Sequence, residues 1–188
     1  MEFRIFDDMG QCTQQEVERL LKVVSLQRRN QALKFKFLFG QFACLKSYEM
    51  LMQLLGRTDD MNIDFQYNEH GKPYLPDERY FSISHCKQGI AVAIDDNPIG
   101  IDIESIRDAD DSLIRYTMNE EETRQILSSV NRSEAFITLW TKKEALLKMR
   151  GTGITDEIKN VLTTAGHIET IVNPEKGYVV SIATEANS

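Results

Sequence analysis

The segment Pro98-Ile99-Gly100-Ile101-Asp102-Ile103-Glu104 carries two carboxylates separated by a single apolar residue. Apolar side chains alternate with Gly100, Asp102 and Glu104, a period of two that reads as a β-strand. That period puts Asp102 and Glu104 on one face and Ile99, Ile101 and Ile103 on the other. Two carboxylates about 7 Å apart along one strand repel unless positive charge sits between them. Magnesium is the economical answer, because it takes hard oxygen ligands and usually only one or two protein carboxylates, with substrate phosphates among its other ligands. Taken alone, the pair reads equally well as the solvated face of an edge strand.

A third carboxylate lies further along the chain. Trp140, Glu144 and Lys148 recur at i, i+4 and i+8 in a helical run that begins at Ser133 and is apolar at Phe136, Leu139, Leu146 and Leu147. At 100° per residue they fall within an ~80° stripe at the shoulder of the apolar face. Glu144 is therefore placed to be a third metal ligand or a base, and Lys148 to reach a phosphate or a leaving oxygen. By itself a Glu–Lys pair at this spacing is a common surface feature worth about 0.2–0.5 kcal/mol. Gly71-Lys72-Pro73 sets a lysine in a loop, free to meet a phosphate. Phe81-Ser82-Ile83-Ser84-His85 ends a strand with a hydroxyl and an imidazole, both able to contact a phosphate or a base edge.

Taken in order, Gly71-Lys72-Pro73-Tyr74-Leu75, the Phe81–His85 run, Pro98–Glu104 and Leu139-Trp140-Thr141-Lys142-Lys143-Glu144-Ala145 closed by Lys148 resemble the 4′-phosphopantetheinyl transferases of the surfactin-synthetase-activating (Sfp) type. The matching motifs run from about Gly71 to Gly153, with a looser match around Arg28. The resemblance implies transfer of the 4′-phosphopantetheine arm of coenzyme A to a serine of an apo acyl or peptidyl carrier protein, releasing 3′,5′-ADP. It implies that Asp102, Glu104 and Glu144 bind Mg2+. It also implies that Arg28, Lys72, Pro73, Ser84 and His85 hold the nucleotide end, and that Lys148 meets the pyrophosphate and leaving group. Glu144, directly or through a metal-bound water, is then the nearest base for the serine hydroxyl. Gln31 and Cys44 stand where the family has a second basic residue and a small polar one.

The implied fold is α+β: two similar α+β halves, residues 1–97 and 98–188, related by pseudo-twofold symmetry with the coenzyme in the cleft between them. A monomer is the expected state. The acidic carrier is expected to dock on about Tyr116 to Val130 and the start of the Trp140 helix. Two rival readings use fewer of these residues: a non-catalytic coenzyme A or nucleotide-binding module, and a magnesium-dependent phosphodiesterase or nuclease.

The bulk properties set bounds. The chain has 188 residues and a net charge of −7, with 41% hydrophobic and 27% charged residues. Such a length suffices for a substantial core. The acidity disfavours duplex nucleic acid as a partner. Lysines and arginines cluster at Arg28–Lys36 and Lys142–Arg150, each a candidate for a phosphorylated small molecule. Cys12, Cys44 and Cys86 are odd in number and far apart, which fits reduced thiols in a cytosol. Met1–Arg4 lacks the basic and apolar regions of a signal peptide, and no run approaches the ~18 apolar residues of a membrane span. The expected location is cytoplasmic.

The elements that must position the candidate residues are legible in outline. Phe3 to Phe6 reads as a strand, and Thr13–Glu16 as a helix start. Gln31 to Leu55 reads as one long buried helix ending at Gly56. Ile63–Tyr67, Tyr80–Ser84, Ile90–Ile94 and Ile99–Ile103 read as strands, the last three as an antiparallel meander. Asn119 with Glu122 marks a further helix start, and Gly151-Thr152-Gly153 ends the Ser133 helix. Strands are expected around Val161, Ile168–Val172 and Tyr178–Ile182. Helices and antiparallel strands in both parts of the chain argue for an α+β fold.

Overall fold

The period-two segments pair into two separate three-stranded sheets, and the helical segments cover their outer faces. This arrangement is seen in a computed structural model that describes residues 1–153, 156–163 and 166–185; the last three positions of the expected second half, 186–188, lie outside the described residues. In chain order the elements are β1 (Glu2–Phe6), α1 (Gln14–Leu21), α2 (Leu26–Leu33), α3 (Leu38–Leu54), β2 (Gln66–Tyr67), β3 (Pro73–Tyr74), β4 (Tyr80–Cys86) and β5 (Gly89–Asp95). They continue with β6 (Ile99–Ser105), α4 (Asp111–Thr117), α5 (Glu120–Ser128), α6 (Arg132–Arg150), a 3-10 segment (Asp156–Thr163), β7 (His167–Asn173) and β8 (Tyr178–Thr184).

The first sheet has the order β1-β5-β4 and the second β6-β8-β7, all neighbours antiparallel. Each order reads first strand, last strand, penultimate strand, and each sheet receives its helices between its first strand and its closing hairpin. The inner faces bury Phe3, Ile5, Ala91 and Ala93 of the first sheet against Ile99, Ile101, Ile103, Val180 and Ile182 of the second. Ile90, Val92 and Ile94 of β5 face the opposite way, into a core with Val17, Leu20, Phe42, Leu45 and Leu51 of α1 and α3. On the far side α5 and α6 pack Ile126, Phe136, Ile137 and Leu139 with Val179 of β8. The fold is α+β, built as helices, sheet, sheet, helices.

Several sequence expectations are corrected. The long helix from Gln31 is two helices, α2 and α3, broken at Lys34–Phe37. Phe37 is extended (φ −105, ψ 145) and offers no side-chain cap. The Phe35 ring folds back over α3, where a Cβ on Gly40 would lie 2.7 Å from it. Aromatic residues are poor enough helix formers for this packing to prevail. The apolar run is consequently not buried throughout, since Phe37 is 72% exposed. The expected meander holds for its first two strands, β4 and β5, and fails at the third. Both edges of β5 are taken, by β1 and β4, so β6 crosses beneath the first sheet and pairs with β8 instead. Only Gln66–Tyr67 of the Ile63 run is strand, and Val161 lies in the 3-10 segment.

The helix ends follow local chemistry. Asn119 and Glu122 form a reciprocal capping box at the start of α5. Asn131, not Ser133, caps α6, its side chain accepting from the Glu134 amide. Gly151 closes α6 in the left-handed region (φ 71), where glycine carries no steric cost. Among the described residues no helix is long and apolar enough to cross a membrane.

Candidate active site

The candidate residues meet where the edge strands β4 and β6 pass each other under α6. β6 obeys the period read from its sequence: Gly100, Asp102 and Glu104 face α6, and the isoleucines face the inter-sheet core. The close approach of helix to strand is set by Gly100, where a Cβ would lie 1.9 Å from the Ala145 carbonyl oxygen and 2.4 Å from the Met149 amide nitrogen. Glu144 and Lys148 sit on the same helix turns and are thereby carried to the carboxylates of β6. The alternation of β4 divides its side chains between two roles. Ser82 and Ser84 point to β6, where Ser82 Oγ accepts from the Ile101 amide (3.0 Å). His85 faces α3 and meets the Phe39 ring edge-on, with centroids 5.8 Å apart.

One cavity of about 510 Å3 gathers Arg28, Pro73, Ser84, His85, Asp102, Glu104, Glu144 and Lys148. An adjoining recess of about 290 Å3 shares Pro73, Glu144 and Lys148 and adds Lys72 and the glycines Gly71, Gly151 and Gly153. The Lys72 ammonium does not point into the larger cavity. It donates to the carbonyls of Ile99 (3.3 Å) and Met149 (3.2 Å), tying its loop to the start of β6 and the end of α6. Every other sequence-derived site residue lines the common space.

The acidic end is short of positive charge. Asp102 is 3% exposed. Its Oδ1 accepts from Ser84 Oγ (2.8 Å) and Lys148 Nζ (2.7 Å). Its Oδ2 and Glu144 Oε1 are buried with no hydrogen-bond partner among the described residues. Burial, and then the Asp102 charge, raise the pKa of Glu144 above the usual carboxylate range. The same two causes raise Glu104, against a hydrogen bond from the Trp140 indole and the positive charge of Arg107 and Lys148. Buried, unpartnered oxygens on Asp102 and Glu144, with the Glu104 carboxylate beside them, are what a hard divalent cation satisfies. As they stand, no three such side chains among the described residues are drawn together tightly enough to enclose an ion.

The opposite end is cationic and aromatic. Arg28 donates from Nε to the Cys44 carbonyl (2.9 Å) and from its terminal nitrogen to Ser47 Oγ (3.1 Å). Its guanidinium lies 5.1 Å from the Phe65 ring centroid. Burial lowers its pKa, and no carboxylate pairs with it among the described residues. Burial also lowers the pKa of His85, although the residue keeps part of its surface exposed, and the positive charges of Lys148 and Arg28 add to the effect. Phosphates suit such a wall: Arg28 supplies fixed charge and His85 a protonatable donor.

The comparisons with known proteins bear on this geometry. A model of the 4′-phosphopantetheinyl transferase superfamily matches residues 98–186. The 4′-phosphopantetheinyl transferase gsp of Aneurinibacillus migulanus is 31% identical over 140 residues, which cover 73% of this chain and 57% of that protein. The chain belongs to the 4′-phosphopantetheinyl transferase superfamily. The relatives psf-1 of Bacillus pumilus and Sfp of Bacillus subtilis (strain 168) are 30% and 28% identical over 74% and 76% of the chain. The chain spans 57% to 66% of the length of these curated 4′-phosphopantetheinyl transferases.

For this superfamily member the structure also changes the reading of one basic cluster. Lys143 is fully buried and does not face any phosphate-sized space. Its ammonium pairs with Glu122 (2.7 Å) and donates to the carbonyls of Ile158 (2.8 Å) and Lys159 (2.9 Å), so it ties α6 to α5 and to the 3-10 segment. Sequence reasoning also missed Phe35, Phe65 and Tyr67 as cavity walls. Their aromatic character was visible, but nothing in their spacing pointed to a shared space.

Proposed function

We propose that this chain moves the phosphopantetheine arm of coenzyme A onto a serine hydroxyl of an apo carrier protein, with Mg2+, and releases 3′,5′-ADP. The observation that carries the reading is one cavity lined by three carboxylates and by Arg28 and His85, with Lys148 in contact with Asp102 and close enough to His85 for its charge to act there. A substrate with a diphosphate in the middle and a further phosphate at one end matches that set of charges.

Asp102, Glu104 and Glu144 would hold the magnesium ion, which would supply neutralisation of the diphosphate charge when bound. Arg28 and His85 bind the nucleotide phosphate and Pro73 lines the nucleotide end, while Lys72 holds its loop against β6 and α6 and Ser84 stands with Asp102 and Lys148 at the acidic end. In the transfer, the serine oxygen forms a bond to the phosphorus bearing the pantetheine arm. The bond from that phosphorus to the oxygen of 3′,5′-ADP breaks. The serine proton passes to Glu144, the carboxylate that α6 carries into the cavity. Lys148 sits beside the leaving oxygen and stabilises the charge that develops there. Residues 1–97 and 98–188 serve as two similar halves, the first contributing the nucleotide wall and the second the acids, in a monomer.

The test is to incubate the protein with coenzyme A, Mg2+ and an apo carrier protein and weigh the carrier. A mass gain equal to the phosphopantetheine arm supports the reading. Coenzyme A binding without that gain would leave a binding module, and cleavage of nucleic acid would point to a phosphodiesterase.

A further inference from the structure

Lys148 is committed twice. The proposed transfer needs its ammonium on a phosphate oxygen, yet Nζ lies 2.7 Å from Asp102 Oδ1 and 2.9 Å from Ser84 Oγ. Ser84 donates to the same Oδ1 at 2.8 Å, so the three groups form a closed triangle linking β4, β6 and α6. The effect on Asp102 is lopsided. One oxygen holds two donors, while Oδ2 is buried with no hydrogen-bond partner among the described residues, like Glu144 Oε1 one helical turn from Lys148. The Lys148 side chain is 30% exposed and therefore has room to swing.

We propose that Ser84 is a positioning residue that parks Lys148 on Asp102 while the site is empty of anions, so that the lysine stands in for the divalent ion until a diphosphate draws it away. The inference rests on the transferase reading for the identity of the anion. A lone lysine among three acids removes one unit of their mutual repulsion, which stabilises the empty site. It also competes with the ion for Asp102. An arriving diphosphate offers the ammonium a partner of higher charge, and its departure releases the Asp102 oxygen to the ion. Ion and donor therefore load together, each tightening the other by one common factor.

Mn2+ is the probe, titrated by its electron paramagnetic resonance signal, with and without saturating coenzyme A and with no carrier present. Lys148→Met keeps the bulk and removes the charge. Without coenzyme A it is expected to bind Mn2+ on the order of ten-fold tighter than the parent, and with coenzyme A to differ from it by less than about two-fold. Ser84→Ala is expected to show part of that gain, and Ser84→Thr, which keeps the hydroxyl, none. A Lys148→Met gain of equal size with and without coenzyme A would be a simple charge effect and would overturn the proposal, as would no gain at all. Ser84→Ala indistinguishable from the parent would strip Ser84 of its role. Glu144→Gln is the separate control: it weakens Mn2+ binding under both conditions. Unchanged binding there would remove the ion from these carboxylates, and the transferase reading would fall with it.

Discussion

Gly100→Ala tests how finely the α6–β6 contact is set. The added Cβ would meet the Ala145 carbonyl oxygen at 1.9 Å and the Met149 amide nitrogen at 2.4 Å. Both obstacles are backbone, so no side-chain rotation relieves them, and bringing the 1.9 Å contact out to ordinary distance needs a separation of about 1.5 Å between strand and helix. The strand has little freedom to yield, since β8 pairs with it along its length and Ser82 holds the Ile101 amide. Whichever element moves, Glu144 and Lys148 part from Asp102 and Glu104. A displacement of about 1 Å costs on the order of 100-fold in turnover. Overpacking of this kind costs about 1–3 kcal/mol, which for a chain of this length lowers Tm by about 2–12 °C. Carrier mass spectrometry reads the first quantity and thermal melting the second. Full turnover and an unchanged Tm in Gly100→Ala would show that the helix is not held at the strand by this glycine, and the account of the site's assembly would be wrong.

Glu144→Gln is expected to abolish transfer while leaving Tm unchanged or raised, because it removes one of three mutually repelling acids; undiminished carrier modification would take Glu144 out of the chemistry. Lys143→Ala strands the buried Glu122 carboxylate and is expected to cost about 3–5 kcal/mol in urea unfolding; a loss under about 1 kcal/mol would mean the pair is not buried in solution. His85 is held below its ordinary pKa of 6.5. The unfolded chain therefore binds more protons than the folded one between the two values, and His85's contribution to stability falls as pH drops through that window. Phosphate favours the charged ring, so under the proposed function coenzyme A binding near pH 7 is expected to take up a proton. Calorimetry in two buffers of different ionisation enthalpy should show the uptake, and His85→Gln should lose it.

Much of the site was legible in the primary structure because its residues obey short-range periods. Asp102 and Glu104 share a strand face by alternation, and Glu144 and Lys148 share a helix face by the i, i+4 rule. The four ordered motifs then supplied the family. Long-range competition was less visible. Nothing in Ile99–Ile103 says that the edges of β5 are already occupied, so β6 was placed in the wrong sheet. The break at Lys34–Phe37 depends on Phe35 packing over Gly40, a contact between residues that propensity treats separately. Lys143 and Lys148 look alike in sequence, five residues apart on one helix. Only the third dimension shows that one is sealed against Glu122 and the other opens into the cavity. Gly100 carried a usable signal, since glycine inside a strand often marks the close approach of another backbone.

The two sheets repeat one strand order but divide the charges unequally, with Arg28 and His85 arriving from the first layer and Asp102, Glu104, Glu144 and Lys148 from the second. Neither layer holds a self-sufficient set. Severing the chain between Asp95 and Ile99 would give two fragments that are each inert, with any regained transfer reporting directly on how well the isoleucine interior reunites them.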